Sequence, residues 1–440
     1  MKPKVFNLTA IAFSLVLGIA TAQAQTPKLL ASTPFDLSAV AKADVVLDWN
    51  AIAVDTAVAN KQNPFAQARY AAIVQLAVFE AVNAIKGEYQ PYLGTITVPP
   101  GASADAAAIE AAYQVLITYF PTSASTLSAA YLNSVAQIPD GQAKIDGIAT
   151  GYAAAQAMIA LRANDGASPP QFKVPGPPVP GEWQATASCP IVNGVAVGTA
   201  FQWQYVTPFG IKSASDFLLG PPPALTSNKY AKAYNEVMTV GSINSTERPQ
   251  DRANVALFFA ASSPTQAFNQ AARQVAHAQG RSLSENARAM ALINMAMNDS
   301  LVASFINKYH YNFWRPETAT HAGDKDGNPK TSPDPTFVPF IVTPCFPSYP
   351  SNHSSAGNGA AEVLRRLYGE AGHSITSTNP AVPDIVLQYT SFKQITDDIS
   401  DARVYGGIHF RTDQEAGADL GRALGTAVYK NNLRPVHNVD

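Results

Sequence analysis

The chain has 440 residues, 47% hydrophobic and 14% charged, with a formal net charge of −2. That near-neutral balance gives no case for a nucleic-acid partner or an anionic membrane surface. The length allows a large core, and only two cysteines, Cys189 and Cys345, are present.

The first 24 residues read as a signal peptide. Lys2 and Lys4 precede an apolar run from Leu8 to Ile19, and Ala22-Gln23-Ala24 fits a small-residue cleavage site. The apolar run is short for a membrane span. The expectation is a secreted or periplasmic protein whose mature chain begins near Gln25 and is not inserted in a membrane once the signal is removed. In such a compartment Cys189 and Cys345 form either a disulfide or two buried thiols.

Residues 27–37 read as an extended arm. Helices are predicted over 43–59 and 65–85; in the second, Tyr70, Ile73, Val74, Ala77, Val78, Ala81 and Val82 recur at three- and four-residue steps. Glu80 and Asn83 are its polar exceptions and suit packing hydrogen bonds. Three alanine-rich helices follow over 104–119, 123–137 and 142–163. Residues 168–223 are different: prolines alternate with aromatics such as Trp183, Phe201, Trp203 and Phe209. Such a segment cannot be helical throughout, yet its aromatics point to an ordered loop that either walls a site or wraps the surface. Helices resume over 228–240, 248–261 and 264–279, the last with Ser263 as N-cap and Pro264 at its first position. Ser282-Leu-Ser-Glu285 has the capping-box spacing and opens a long helix ending near Lys308. Short strand pairs are expected only in the proline-rich segment and near 337–342. The fold class is mostly α, a multi-helix bundle with little β. Residues 25–245 and 246–440 are its N- and C-terminal regions, packed as one unit.

The run Phe346-Pro-Ser-Tyr-Pro-Ser-Asn-His353 dominates the remainder. Two prolines stiffen the backbone, and helix-compatible residues follow Ser351, so a rigid turn feeds a helix N-terminus. Free N–H groups there make an oxyanion site; Ser351 adds a hydroxyl, Asn352 a backbone N–H, and His353 a titratable ring. Upstream, Lys308 and Arg315 are seven residues apart, which on a continuing helix puts both on one face. Downstream, Arg403 precedes His409 by six residues and Asp413 by ten, with Gly406-Gly407 between to admit close approach to an ion. Three cations plus helix-start amides make a cage for a tetrahedral oxyanion. Asp413 is placed to orient the His409 imidazole.

Lys308-x6-Arg315-Pro316, then Pro350-Ser351-x-His353, then Arg403-x5-His409-x3-Asp413 resemble, in type, spacing and order, the signature of the vanadium-dependent haloperoxidase and type-2 (phosphatidic) acid phosphatase superfamily. The likeness is nearest to its bacterial haloperoxidase-like members. The resemblance implies a four-helix core around the pocket. It assigns Lys308, Arg315, Ser351, Asn352 and Arg403 to the oxyanion, His409 to the metal bond, and His353 to acid–base work. It implies vanadate as cofactor, with phosphate able to take the same site. The partners are then hydrogen peroxide, halide and a small organic acceptor; a homo-oligomer stays open. The alternatives are a phosphomonoesterase working through a phosphohistidine, and a non-catalytic oxyanion binder. Two departures stand out: Asn352 where the family has glycine, and Ala402 where it has serine. Phe346 sits at an aromatic-wall position of haloperoxidase-like members, and Phe305 where some relatives carry tryptophan or tyrosine. Among other histidines, His277, His310, His373 and His437 are expected away from the site, and His321 is a pocket candidate. Asp324 to Asn328 resembles a calcium loop but lacks its closing glutamate and reads as a turn.

Overall fold

A 29-residue helix, α9 (Leu283–Tyr311), runs through the middle of the molecule and is buried on every face. It starts on the predicted capping box: Ser282 accepts from the Glu285 amide and Glu285 accepts from the Ser282 amide. The computed structural model describes residues 44–94 and 96–436. The predicted signal, the predicted arm and His437 lie outside that set.

The N-terminal helices fall on the predicted ranges, beginning with α1 (Val45–Ala59), α2 (Pro64–Lys86), α3 (Ala104–Tyr119) and α4 (Ala124–Val135). With α5 (Gln142–Arg162) they form a layer in which α2, α3 and α5 pack mutually and α2 faces α9. Glu80 and Asn83 do pack internally: Glu80 accepts from the Tyr92 amide, and Asn83 exchanges two bonds with Tyr89. Helices α2 and α9 are long and apolar enough to cross a membrane, but 83% and 94% of their most apolar windows are buried within the protein, so both serve as core. From Asp44 onward the chain is one compact unit.

After α6 (Asn228–Gly241), α7 (Gln250–Ala261) and α8 (Pro264–Ala278), the C-terminal half adds α10 (Pro316–His321), α11 (Asn352–Tyr368), α12 (Phe392–Tyr405) and α13 (Arg411–Asn431). Helices α9, α11 and α13 pack on one another, and α12 lies against α11. The α11–α13 crossing is close because glycines line it. A Cβ on Gly421 would run into the Ser355 carbonyl and lie 2.8 Å from the Gly359 nitrogen, both backbone atoms of α11.

Residues 168–223 are ordered without long helices. They hold a two-residue hairpin, β1 (Ile191–Val192) with β2 (Val195–Ala196), and 3-10 turns at Phe201–Tyr205 and Ala214–Phe217. Polar side chains of α9 hold this segment. Asp299 accepts from the Phe209 and Gly210 amides at 2.7 Å each, and Asn307 bonds Leu219 N and Phe217 O. Cys189 and Cys345 are bridged, closing the segment onto the stretch before Phe346.

Two expectations about strands change. Residues 337–342 form no strand; Pro339 makes only an isolated bridge with Ser242. A hairpin unforeseen in the sequence, β3 (Ala371–Ser377) with β4 (Leu387–Ser391), packs on α8 through β3 and on the helix at Phe392–Tyr405 through β4, with Ile375 and Tyr389 buried. Its apolar side carries too few large residues to stand out as a period-two pattern.

Gly421→Ala should lower stability by roughly 1–3 kcal/mol. Overpacking against backbone outweighs the gain of about 1 kcal/mol in helix propensity. Chemical denaturation of both proteins measures it, and equal midpoints would show that the crossing can yield.

Candidate active site

Lys308 sits in the last turn of α9, fully buried. The helix does not continue to Arg315. Asn312 adopts a left-handed conformation (φ 49°) and stops it, and Arg315 is extended as the N-cap of α10. The two cations therefore meet through a turn and not along one helical face, a correction to the seven-residue argument. The turn is pinned to the proline-rich segment by Trp183 N to Asn312 O and Trp314 N to Gly181 O.

Ser351 is the N-cap of α11, with its Oγ accepting from the Ser354 amide at 3.3 Å, so the hydroxyl proton stays available. Asn352 and His353 form the first turn. Arg403 lies in the last turn of α12, and His409 follows just before α13. The intervening glycines serve packing. Gly407 has φ +79°, and a Cβ there would strike Gly241 O and come within 3.0 Å of Pro339 Cα.

His409 Nδ1 lies 2.9 Å from Asp413 Oδ2. The same oxygen accepts from Ser348 Oγ at 2.6 Å and from the Phe410 amide at 3.1 Å. An ionised carboxylate only accepts, so the imidazole carries its proton on Nδ1 and keeps a lone pair on Nε2. Arg315 Nη1 is 2.9 Å from that Nε2 and 2.8 Å from the Ile408 carbonyl. Ser348 was not singled out in the sequence; its place between Pro347 and Pro350 was the available signal, since a stiff backbone aims a side chain.

The three cations differ in what they have left to offer. Lys308 Nζ spends its donors on the carbonyls of Pro347, Ser348 and Pro350 at 2.6–2.8 Å. It therefore contributes charge and not a free N–H. Arg315 donates Nε to Phe346 O, while its Nη2 is buried without a partner. Arg403 donates Nη1 to Phe259 O, while its Nε is buried without a partner. The Phe346 ring lies 5.1 Å from Arg315 Cζ and 5.3 Å from Lys308 Nζ. Unsatisfied buried guanidinium donors cost free energy and mark a place for an acceptor.

Burial, then the Arg315 and Arg403 charges, pushes Lys308 well below its ordinary value, against the pull of Asp413. Burial also brings Arg315 down to about 9 and Arg403 to about 10, both still charged at neutral pH. Burial raises Asp413 to about 6 despite the Ser348 bond and the nearby cations. His353 and His409 are held far below the ordinary imidazole range, first by burial and then by the surrounding cations. Both rings are thus neutral at neutral pH.

Asn352, His353, Arg403 and His409 line a cavity of about 790 Å³ whose other walls include Phe65, Phe172 and Cys345. The proline-rich segment therefore walls the site. His277, His310 and His321 are exposed, and His321 bonds Phe337 O away from the cavity. His373 is partly buried on β3, where it bonds Gly369 O. Asp326 closes a turn through the Asn328 amide and the Thr331 hydroxyl. Among the described residues no group of three or more His, Cys, Asp or Glu could hold a metal ion. The cage of cations around one imidazole lone pair suits an oxyanion instead.

An anion entering this cage raises the values of His353 and His409 towards their ordinary range, so binding takes up protons and weakens as pH rises. Sulfate, whose charge is fixed near neutrality, should show this in calorimetry across buffers of different ionisation enthalpy. An apparent enthalpy independent of buffer would contradict the depressed values.

The family model of the VCPO second helical-bundle domain matches residues 288–438, the stretch that contains every candidate residue above. Vanadium chloroperoxidase of Curvularia inaequalis is 28% identical over 206 residues, covering 38% of this chain and 33% of its own; the match thus spans about a third of that relative. A bacterial vanadium-dependent iodoperoxidase superposes with TM-score 0.75 at 24% identity, covering 90% of this chain and 97% of that one. A holo bacterial vanadium-dependent chloroperoxidase superposes with TM-score 0.66 at 16% identity, covering 84% and 91%. At these identities the structures show a shared fold alone. Residues 288–438 thus match the VCPO second helical-bundle domain, on a chain that has the fold of the bacterial vanadium-dependent haloperoxidases.

Proposed function

We propose that the protein is a vanadate-dependent haloperoxidase, converting hydrogen peroxide, halide and a proton to hypohalous acid and water. One observation carries this reading: the His409 Nε2 lone pair, fixed by Asp413 on the opposite nitrogen, stands in a cage where Arg315 Nη2 and Arg403 Nε have no partner. Vanadate held there would supply a Lewis-acidic centre that activates peroxide without changing oxidation state.

In this reading Arg315 and Arg403 donate their free N–H groups to the oxyanion, and the Ser351 hydroxyl and Asn352 backbone N–H add donors at the α11 N-terminus. Lys308 supplies charge alone. His409 Nε2 provides the coordinate bond, and Asp413 with Ser348 fixes the ring. His353, neutral and half-buried, would hold and move the peroxide proton on a ring nitrogen.

Paired variants test the division of labour. His409→Ala should abolish tight vanadate binding with the fold intact. His353→Ala should keep vanadate, weakened by about 1 kcal/mol for a lost hydrogen bond, while turnover falls on the order of a hundredfold. A rate that falls only as far as vanadate occupancy would make His353 a structural contact. The same preparations assayed for phosphate-ester hydrolysis decide the competing phosphomonoesterase reading, in which His409 Nε2 is a nucleophile. Ester turnover without halide oxidation would sink the haloperoxidase.

We also propose export. The Cys189–Cys345 bridge suits an oxidising compartment, in keeping with the leader-like first 24 residues. Terminal sequencing of protein from the periplasm or medium should find a start near Gln25; an intact Met1 would contradict it.

A further inference from the structure

We propose that a second cavity, between the C-terminal end of α5 and the start of the proline-rich segment, binds an organic monocarboxylate with a flat apolar body, of the benzoate class. This site stands apart from the anion cage. Only Asn63, Pro170 and Gln202 line both cavities. The Gln202 side chain accepts from the Gln171 amide and donates to the Ala167 carbonyl, which fixes it as a partition between them.

Two buried guanidiniums share one carboxylate here. Asp165 Oδ2 accepts from Arg69 Nε at 2.7 Å and from Arg162 Nε at 3.1 Å, and Asp165 Oδ1 accepts from the Ala167 amide. No other carboxylate lines the cavity, so two cations face one anion. Arg162 is fully engaged, because its Nη1 and Nη2 donate to the Pro208 and Thr207 carbonyls. Arg69 is not. Its Nη2 donates to the Arg162 carbonyl, and its Nη1 has no partner among the described residues.

The buried polar atoms of the lining that lack a partner are also hydrogen-bond donors: the Trp203 indole Nε1 and the Tyr119 hydroxyl. Arg69 and Trp203 are only 6% and 3% exposed, so their unpaired N–H groups carry a desolvation cost that an acceptor would offset. Burial raises the Tyr119 hydroxyl and the Arg69 charge opposes the rise, which sets these two groups together. A negatively charged acceptor answers both the surplus cation and the unpaired donors. An ammonium group finds no free carboxylate to pair with. Size then favours an organic anion over a bare inorganic one: the cavity holds about 490 Å³, within the range of about 300–1,000 Å³ typical of small-molecule pockets. The Tyr70 and Tyr119 rings lie 5.2 Å apart, with Arg69 Cζ 5.3 and 5.6 Å from their centres. Pro170 and Trp203 complete the apolar walls. These surfaces suit a flat ring whose carboxylate reaches the donors. The ligand would touch α2, α3 and the proline-rich segment at once.

Fluorine NMR titration of the full-length protein tests this, with 4-fluorobenzoate as probe, 4-fluorobenzamide as its neutral counterpart, and excess phosphate present to fill the anion cage. The carboxylate should bind about tenfold more tightly than the amide or better. Trp203→Phe and Tyr119→Phe each remove one donor and should each weaken the carboxylate about fivefold. Asn164→Asp adds a negative charge at an exposed lining position where folding is not at risk. It should weaken the carboxylate by about threefold or more and leave the amide unchanged, while Asn164→Lys should tighten the carboxylate. Absence of saturable binding overturns the proposal, as does displacement of the probe by phosphate, which would seat it in the anion cage. An affinity unchanged by Asn164→Asp, or by both donor-removing variants, overturns it as well. No readout depends on halide or peroxide turnover, so failure here and failure of the haloperoxidase reading are distinguishable.

Discussion

Three cationic side chains are buried around a single carboxylate, and much of the surrounding structure answers to that constraint. Lys308 and Arg315 are fully buried and Arg403 nearly so, yet Asp413 is the counter-charge that acts on both Lys308 and Arg315. Charge removed from water is costly unless it is compensated. The protein compensates partly with backbone carbonyls: Pro347, Ser348 and Pro350 for Lys308, Phe346 and Ile408 for Arg315, and Phe259 for Arg403. What remains is an excess of positive potential and guanidinium N–H groups without partners. An oxyanion is the occupant that relieves both, so the same arrangement that strains the free protein creates affinity.

The stiff turn at Pro347 to Pro350 links this electrostatics to the fold. Its carbonyls point at Lys308, Ser348 holds Asp413, and its end caps α11 at Ser351. One short stretch thus fixes a cation, the carboxylate that orients His409, and the helix N-terminus that faces the pocket. The close α11–α13 crossing keeps Ser351 and Asp413 in register, with the Ser351 amide bonded to the Asp413 carbonyl.

The proline-rich segment is tied to the same framework from the other side. Asp299 and Asn307 hold it from α9, and the disulfide fastens it one residue before Phe346. A segment with few long-range backbone ladders is ordered here by polar hooks from a core helix. That explains why buried Asp299, whose carboxyl burial raises to about 6, is placed in an otherwise apolar helix. The cavity wall and the anion cage consequently share one support.

The helices were legible in the sequence because they depend on local patterns. Capping residues at Ser263 and Ser282, three- and four-residue apolar spacing in α2, and prolines at first positions act over a few residues. The identity of the site residues was legible for the same reason, as three short motifs with fixed internal spacing. Their joint geometry was not. The chain bends at Asn312, so Lys308 and Arg315 meet by a turn that helix spacing misread. Gly407 serves a close contact with Gly241, and Gly406 one with Ile341, both far away in the chain. Ser348 gained its partner from α13, and the β3–β4 hairpin gained its stability from α8. Sequence determined which helices form and which side chains carry charge and titratable groups, since those are local properties. Tertiary structure alone decided which donors stay unpaired, which imidazole nitrogen carries the proton and how large the cavity is, because each depends on partners brought together from distant segments.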